Sequence, residues 1–232
     1  VFVSSSGQTA TAPAQDSSLT VDGRNFELQY VNNVPYLGLY LGDSIEFIVG
    51  LYDEGFCFVD SRMNRIDYVE APSIGFDGKE KLGSARGYIW SRSLPVMLEN
   101  PVFGHGADTF FAEFPQGDLL GKLYSYGTTQ MIVDKPHNLY LQMGISYGVI
   151  ALIAFVVMMM AYLIDSFKLY ALRGKYSVQQ TIGAAIALAV IGYLGAGFFN
   201  DSIVSVAPIF WALFGIGIAM NQLNKKENAT EE

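Results

Sequence analysis

Three side chains in this sequence are of a type and setting that could carry chemistry: Arg86, His105 and His137. His137 lies in Asp134-Lys135-Pro136-His137-Asn138-Leu139-Tyr140-Leu141-Gln142, at the mouth of a long apolar run. An imidazole ordinarily titrates near neutrality, so a histidine there suits general-base work where a lipid headgroup would be presented. An interfacial polar residue that fixes helix depth fits the same position. His105 is bracketed by two glycines in Asn100-Pro101-Val102-Phe103-Gly104-His105-Gly106, a segment that permits a tight backbone path and close approach to a ligand. It lacks the third glycine of a dinucleotide fingerprint and the Gly-Lys-Ser/Thr ending of a phosphate loop. A loop histidine in such a setting is more often simply exposed. With two histidines and one cysteine, none at metal-ligand spacing, no zinc site and no other cofactor is expected.

Arg86 falls near the start of a helix predicted from about Ala85 to Glu99, with Ser84 as its cap. Trp90, Ser93 and Met97 follow on the same side, and Pro95 bends the helix locally. Arg92 projects about 120° away from Arg86 at roughly 100° per residue. An arginine on such a helix is, taken alone, most often a solvated charge.

The elements that must position these residues divide the chain in two. It is 51% hydrophobic and 16% charged, with a mean hydropathy of +0.28. Residues 1–138 hold 17 acidic and 9 basic side chains and so carry the whole net charge of −8; residues 139–232 balance five against five. This asymmetry excludes a single soluble globule, a disordered chain and a nucleic-acid binder, which would need a basic surface.

In the second part, Ile145–Ile164, Ile182–Phe199 and Ile203–Met220 are uncharged runs of bilayer length, and three transmembrane helices are predicted. Lys168, Arg173 and Lys175 follow the first run and Lys225 and Lys226 the third, whereas only Asn200, Asp201 and Ser202 join the second to the third. The positive-inside rule then puts the C-terminus in the cytoplasm and residues 1–138 outside. Small residues at Gly192, Gly195, Ala196, Gly197, Gly215 and Gly217 suit close helix packing, and Pro208 is expected to kink the last span. The absence of a charge within the runs disfavours a pump or transporter.

The first part reads as the end of a preceding span and a linker (1–18), a β-rich insert (19–71) and an outer loop (72–138) before the helices (139–232). Val1–Val3, with no initiating methionine, suggest that the chain is the C-terminal portion of a longer polytopic protein. Alternating Phe26, Leu28 and Tyr30, with turn signals at Asp22-Gly23, Asn32-Asn33, Gly42-Asp43 and Asp53-Glu54-Gly55, predict an antiparallel sheet of four or so strands. The single Cys57 provides no intrachain disulfide.

In order, Ser84-Ala85-Arg86-Gly87-Tyr88-Ile89-Trp90, Asn100–Gly106 with Phe110, Pro136–Leu141 and Gly144-Ile145-Ser146-Tyr147-Gly148-Val149-Ile150 resemble the O-antigen ligase and polymerase family of bacterial surface-polysaccharide assembly. The resemblance covers roughly residues 80–165. It implies a multi-pass α-helical protein of the cell membrane, with a catalytic loop on the outer face. The implied enzyme is a glycosyltransferase that moves a glycan from a polyprenyl (undecaprenyl-type) diphosphate to a glycan, lipid or cell-wall acceptor, without metal or nucleotide sugar. By position in the motifs, Arg86 matches the residue that holds the diphosphate and His137 the residue that acts on the acceptor. Gly104, Gly106, Asn138 and Trp90 are the accompanying candidates for substrate contact. The family's sites generally include a further arginine from a more N-terminal loop, which this chain lacks, so the chain alone is expected to be inactive. Arg62, Arg65, Arg92 and Lys135 are other sources of charge, none placed by a motif. The β insert lies outside the core pattern. Two other classes compete: a non-enzymatic membrane-anchored β-domain, in which Arg86 and His137 would be silent, and a transporter fragment.

Overall fold

The computed structural model describes residues 2–3, 9–10, 17–21, 24–41, 44–171 and 175–231. The expected turns at Asp22-Gly23 and Gly42-Asp43, the basic residue Arg173, and most of the expected linker at 1–18 lie outside these residues. The chain forms two compact units, one of residues 1–72, 77–88 and 115–132 and the other of 73–76, 89–114 and 133–232.

The first unit is built on β-structure. Strands β1 (Phe2–Val3) and β2 (Thr9–Ala10) form a small antiparallel pair. A six-stranded antiparallel meander follows, in sequence order: β3 (Ser17–Val21), β4 (Arg24–Val31), β5 (Val34–Leu41), β6 (Ser44–Tyr52), β7 (Gly55–Val59) and β8 (Arg65–Ile66). This is two strands more than the alternation pattern suggests. Ser17–Val21 is too polar to read as a strand by itself and Arg65–Ile66 is too short, yet each completes an edge by pairing. Between β4 and β5, Val31 pairs with Val34 across Asn32 and Asn33, both in the left-handed region. Asparagine tolerates that conformation, which two-residue hairpins of this hand demand.

The unit also contains helix α3 (Leu119–Tyr126), started by Asp118, whose side chain accepts from the Gly121 N–H at 3.0 Å, and ended by the left-handed Gly127. A buried carboxylate joins the segment after α3 to the sheet. Glu46 on β6 accepts from the Thr128 hydroxyl at 2.8 Å, from the Thr129 hydroxyl at 2.6 Å and from the Thr129 N–H. Burial pushes its carboxyl upward, but the side-chain and backbone bonds from Thr129, with that from Thr128, outweigh this and hold the pKa below the ordinary value. Asp118 likewise accepts from the Tyr68 hydroxyl at 3.0 Å, and burial together with the Asp118 charge pushes that phenol up to about 12.

Helix α1 (Leu82–Glu99) does not start where its cap signal suggests. Gly83, Ser84 and Ala85 all have φ between 60° and 66°, so right-handed helix begins at Arg86 and Ser84 lies on the wrong side of the Ramachandran plot to cap it. Pro95 lacks the N–H that would bond the carbonyl of Ser91. That carbonyl instead accepts from the Ile74 N–H at 2.9 Å.

The second unit is helical: α2 (Phe110–Glu113), α4 (Leu139–Tyr147), α5 (Val149–Tyr170), α6 (Val178–Ala196) and α7 (Ala207–Glu231), with α1 from Ile89 onward. Its core joins Leu139, Phe155, Met159, Tyr162, Ala187, Val190, Phe210 and Phe214. Helices α5 and α6 are long and apolar enough to cross a membrane. Much of the apolar surface of α5 lies outside the core: Ile150, Ile153, Val157, Met160, Ile164 and Phe167 are all exposed.

Three details differ from the expected spans. The run Ile145–Ile164 is broken at Gly148 (φ 89°), so α4 and α5 are separate helices. Ile203–Val206 precede α7, so the helical part of the apolar run from which a third span was expected is only Ala207–Met220, before the amides from Asn221 onward. Pro208 falls in the first turn of α7, where no N–H is required, and does not kink it. Helices α5 and α7 are also joined by side-chain amides: Asn221 donates to Ser166 Oγ at 2.9 Å and accepts from the Tyr170 hydroxyl at 2.7 Å, and Asn224 donates to that hydroxyl at 3.2 Å.

Candidate active site

His137 has a left-handed backbone (φ 48°), an uncommon state for a non-glycine residue that costs roughly 1–2 kcal/mol. Bonds on both sides hold it there. The Trp90 indole N–H donates to the Pro136 carbonyl at 2.9 Å. The Asn138 side chain caps α4 by accepting from the N–H groups of Tyr140 and Leu141 at 2.9 and 3.0 Å, and it donates to the Phe198 carbonyl at 3.1 Å. Leu139 N–H donates to the Gly197 carbonyl at 2.7 Å. The Pro136-His137-Asn138 segment is thus fastened to α1, to α4 and to the turn after α6.

The imidazole itself meets a carboxylate. Nδ1 of His137 lies 3.1 Å from Oδ2 of Asp201, whose side chain is 5% exposed against 44% for the histidine. The other oxygen, Oδ1, accepts from the Asn138 N–H at 3.2 Å. For a neutral ring beside an ionised carboxylate, which only accepts, a proton on Nδ1 is the matching tautomer and leaves the Nε2 lone pair for another partner. Nε2 has no protein partner among the described residues. A buried acid beside one ring nitrogen of a half-exposed histidine suits the geometry that a general base needs.

Trp90 and Asn138, expected to touch substrate, therefore commit their polar atoms to this support. Gly104 and Gly106 do similar work at the next junction. His105 N–H donates to the Ile145 carbonyl at 2.8 Å and Gly106 N–H to the Ser146 carbonyl at 3.0 Å, while Val149 N–H donates to the Pro101 carbonyl at 2.7 Å. A Cβ on Gly104 (φ 68°) would stand 2.5 Å from the Ser146 carbonyl carbon, and one on Gly148 would stand 2.4 Å from the Val102 oxygen. The close approach that the glycines permit is thus to the α4–α5 junction. His105 is largely covered, at 11% side-chain exposure: Nε2 donates to the Val96 carbonyl at 2.9 Å, closing the last turn of α1, and Nδ1 faces Glu113 at 3.3 Å.

Arg86 belongs to the first unit. It is half-buried, and Nη1 donates to the Gly83 carbonyl at 3.0 Å. Gly87 behind it passes so close to the Lys79 carbonyl that a Cβ would lie 2.2 Å from the oxygen. The left-handed turn before Arg86 and the bare backbone after it fix where the guanidinium starts. Of the other basic candidates, Arg92 is buried with Nη1 3.0 Å from Ser91 Oγ, and Arg65 lies over the Tyr52 ring.

Asp201 is the functional candidate that motif reading misses. Its one signal is being the sole acid in a three-residue polar turn between two apolar runs.

Fold and site together define a helical membrane-associated protein with an oriented histidine at the end of its apolar helices and a β-structured unit in the same chain. A model of the family described as O-antigen ligase matches residues 40–156, half of the chain. The chain belongs to this family, and is of ligase or polymerase type in surface-polysaccharide synthesis, with a lipid-linked glycan and an acceptor as partners in general terms. The match takes in Arg86, Trp90, Gly104, Gly106, His137 and Asn138, and it begins at Tyr40, inside the segment expected to lie outside the family pattern. No curated protein and no solved structure matches the chain.

Proposed function

We propose that this protein transfers a glycan from a polyprenyl diphosphate to an acceptor hydroxyl at the outer face of the cytoplasmic membrane, as a ligase or polymerase. The observation that carries the reading is the His137–Asp201 pair on a segment of the matched family region, with Nε2 open. In the step proposed, Nε2 takes the proton as the acceptor oxygen attacks the anomeric carbon. The bond from that carbon to the diphosphate oxygen breaks, and the diphosphate leaves with the electron pair. Arg86 holds the diphosphate, for which a guanidinium is suited because it is always charged and binds phosphate oxygens in pairs. Asp201 keeps the imidazole in the reactive tautomer. Gly104 and Gly106 act through the α4–α5 junction, and Trp90 and Asn138 through the His137 backbone.

The same reading puts α5, α6 and α7 across the bilayer with their basic ends inward. Lys225 on α7 pairs with Asp165 on α5 at 2.7 Å, so the charged ends of these two helices coincide, in keeping with Lys168 and Lys175 nearby in sequence. The test is transfer by the whole gene product in membranes. His137→Ala and Arg86→Ala each abolish polymer transfer while membrane insertion is unchanged; full activity in both variants sinks the assignment.

A further inference from the structure

Beside the His137–Asp201 pair, the second unit contains a cavity of about 310 Å³ at the same turn. Ser202, which follows Asp201 directly, is one wall residue; Gln142 of α4 and Asp108 after the Gly-His-Gly segment are others. Tyr147, Tyr193 and Trp211 also line it, and the Tyr193 hydroxyl lies 3.3 Å from Ser202 Oγ. No lysine, arginine or histidine lines the cavity among the described residues.

We infer that this cavity binds a neutral sugar unit of the transferred or accepting glycan, which rests on the function proposed above and names a subsite for it. Three observations carry this. First, the polar wall has hydrogen-bonding capacity left over. Gln142 Oε1 accepts from the Ser202 N–H at 2.8 Å, which fixes the amide and leaves its two Nε2 hydrogens for an occupant; the Asp108 carboxylate is exposed. An acyl chain there would leave the Gln142 amide hydrogens without a partner, at a cost of about 1–3 kcal/mol. Second, two of the aromatic rings in the lining are held in place. Tyr193 is stacked on Phe210 with centroids 3.8 Å apart, and Trp211 packs edge-on against Phe155, Phe210 and Phe214, so neither ring collapses into the space. A sugar ring offers a C–H face to such rings and hydroxyls, both donors and acceptors, to the polar groups. Third, the charge is wrong for phosphate. A carboxylate without a cation repels the diphosphate, so the cavity selects the uncharged part of the substrate.

The experiment uses the whole gene product in lipid nanodiscs and the methyl glycosides of glucose, galactose and N-acetylglucosamine as probes, read by saturation-transfer NMR. At least one glycoside gives saturable transfer, inorganic diphosphate does not compete, and Asp108→Asn combined with Tyr147→Ala weakens binding at least tenfold. Asp108 has a left-handed backbone (φ 57°), which asparagine accepts, and Tyr147 is exposed, so neither change removes core packing. His137→Ala keeps the saturation transfer, which separates this inference from the proposed chemistry: glycoside binding can fail while His137 proves essential, and the reverse. In turnover the double variant raises the KM of one glycan substrate about tenfold with kcat retained, and the substrate affected tells donor from acceptor. No saturable transfer, competition by diphosphate, or undiminished binding in the double variant overturns the inference.

Discussion

The Nδ1 of His137 and the Oδ2 of Asp201 lie 3.1 Å apart although 63 residues separate Asp201 from the neighbouring Asn138. Asp201→Asn keeps the side-chain shape but removes the charge that holds the proton on Nδ1. Transfer is expected to fall on the order of 10²- to 10⁴-fold, the usual contribution of a general base, with KM for both substrates little changed. Steady-state kinetics on the purified variant check this; a change confined to KM would assign Asp201 to binding.

Arg86→Lys keeps a positive charge and loses the planar fork. If the guanidinium grips a diphosphate in pairs, lysine restores little, and transfer stays at least about tenfold below the parent, one lost charge-assisted bond being worth roughly 1.5–3 kcal/mol. Activity close to that of the parent would show that charge alone is used there.

The position of His137 just before a helix was legible, because the Pro-His-Asn segment precedes an apolar run; that Asn138 caps this helix was not among the expectations. Asp201 was not legible, because its partner is remote in the chain and a lone acid in a short turn usually means only solvent exposure. Helix presence was legible from long apolar runs, but helix boundaries were not. Gly148 and the left-handed Gly83–Ala85 turn break the pattern through backbone angles, which composition does not encode. The bond from Trp90 to the Pro136 carbonyl was not legible either, because 46 residues separate the two.

Glu46 gives the first unit a pH dependence. Its folded pKa is below the ordinary 4.5, so its contribution is complete above the unfolded value and is lost as pH falls through the lower folded one. Amide exchange at Thr129 is expected to accelerate as pH drops below about 4.5, relative to the intrinsic rate. Glu46→Gln, which cannot accept from Thr128 and Thr129 as strongly, destabilises the unit by about 1–3 kcal/mol and removes the acid dependence.

Gly104→Ala and Gly106→Ala separate two roles for neighbouring glycines. Both have positive φ, but a Cβ on Gly104 meets backbone at 2.5 Å, whereas one on Gly106 meets only the Thr109 methyl at 3.4 Å. The first is expected to cost about 1–3 kcal/mol more than the second in thermal unfolding, because backbone cannot move aside as a side chain can. Equal losses would show that φ alone sets the requirement.

The carboxylate that orients His137 sits in the turn joining α6 to α7. During synthesis the histidine emerges first, and its partner follows only after α6 has been made. A ribosome-bound or prematurely terminated chain ending before Asp201 thus contains every residue of the matched family region yet leaves its base unsupported. On the function proposed above, the His137 base waits for the turn between α6 and α7, so its chemistry is coupled to the making of that hairpin.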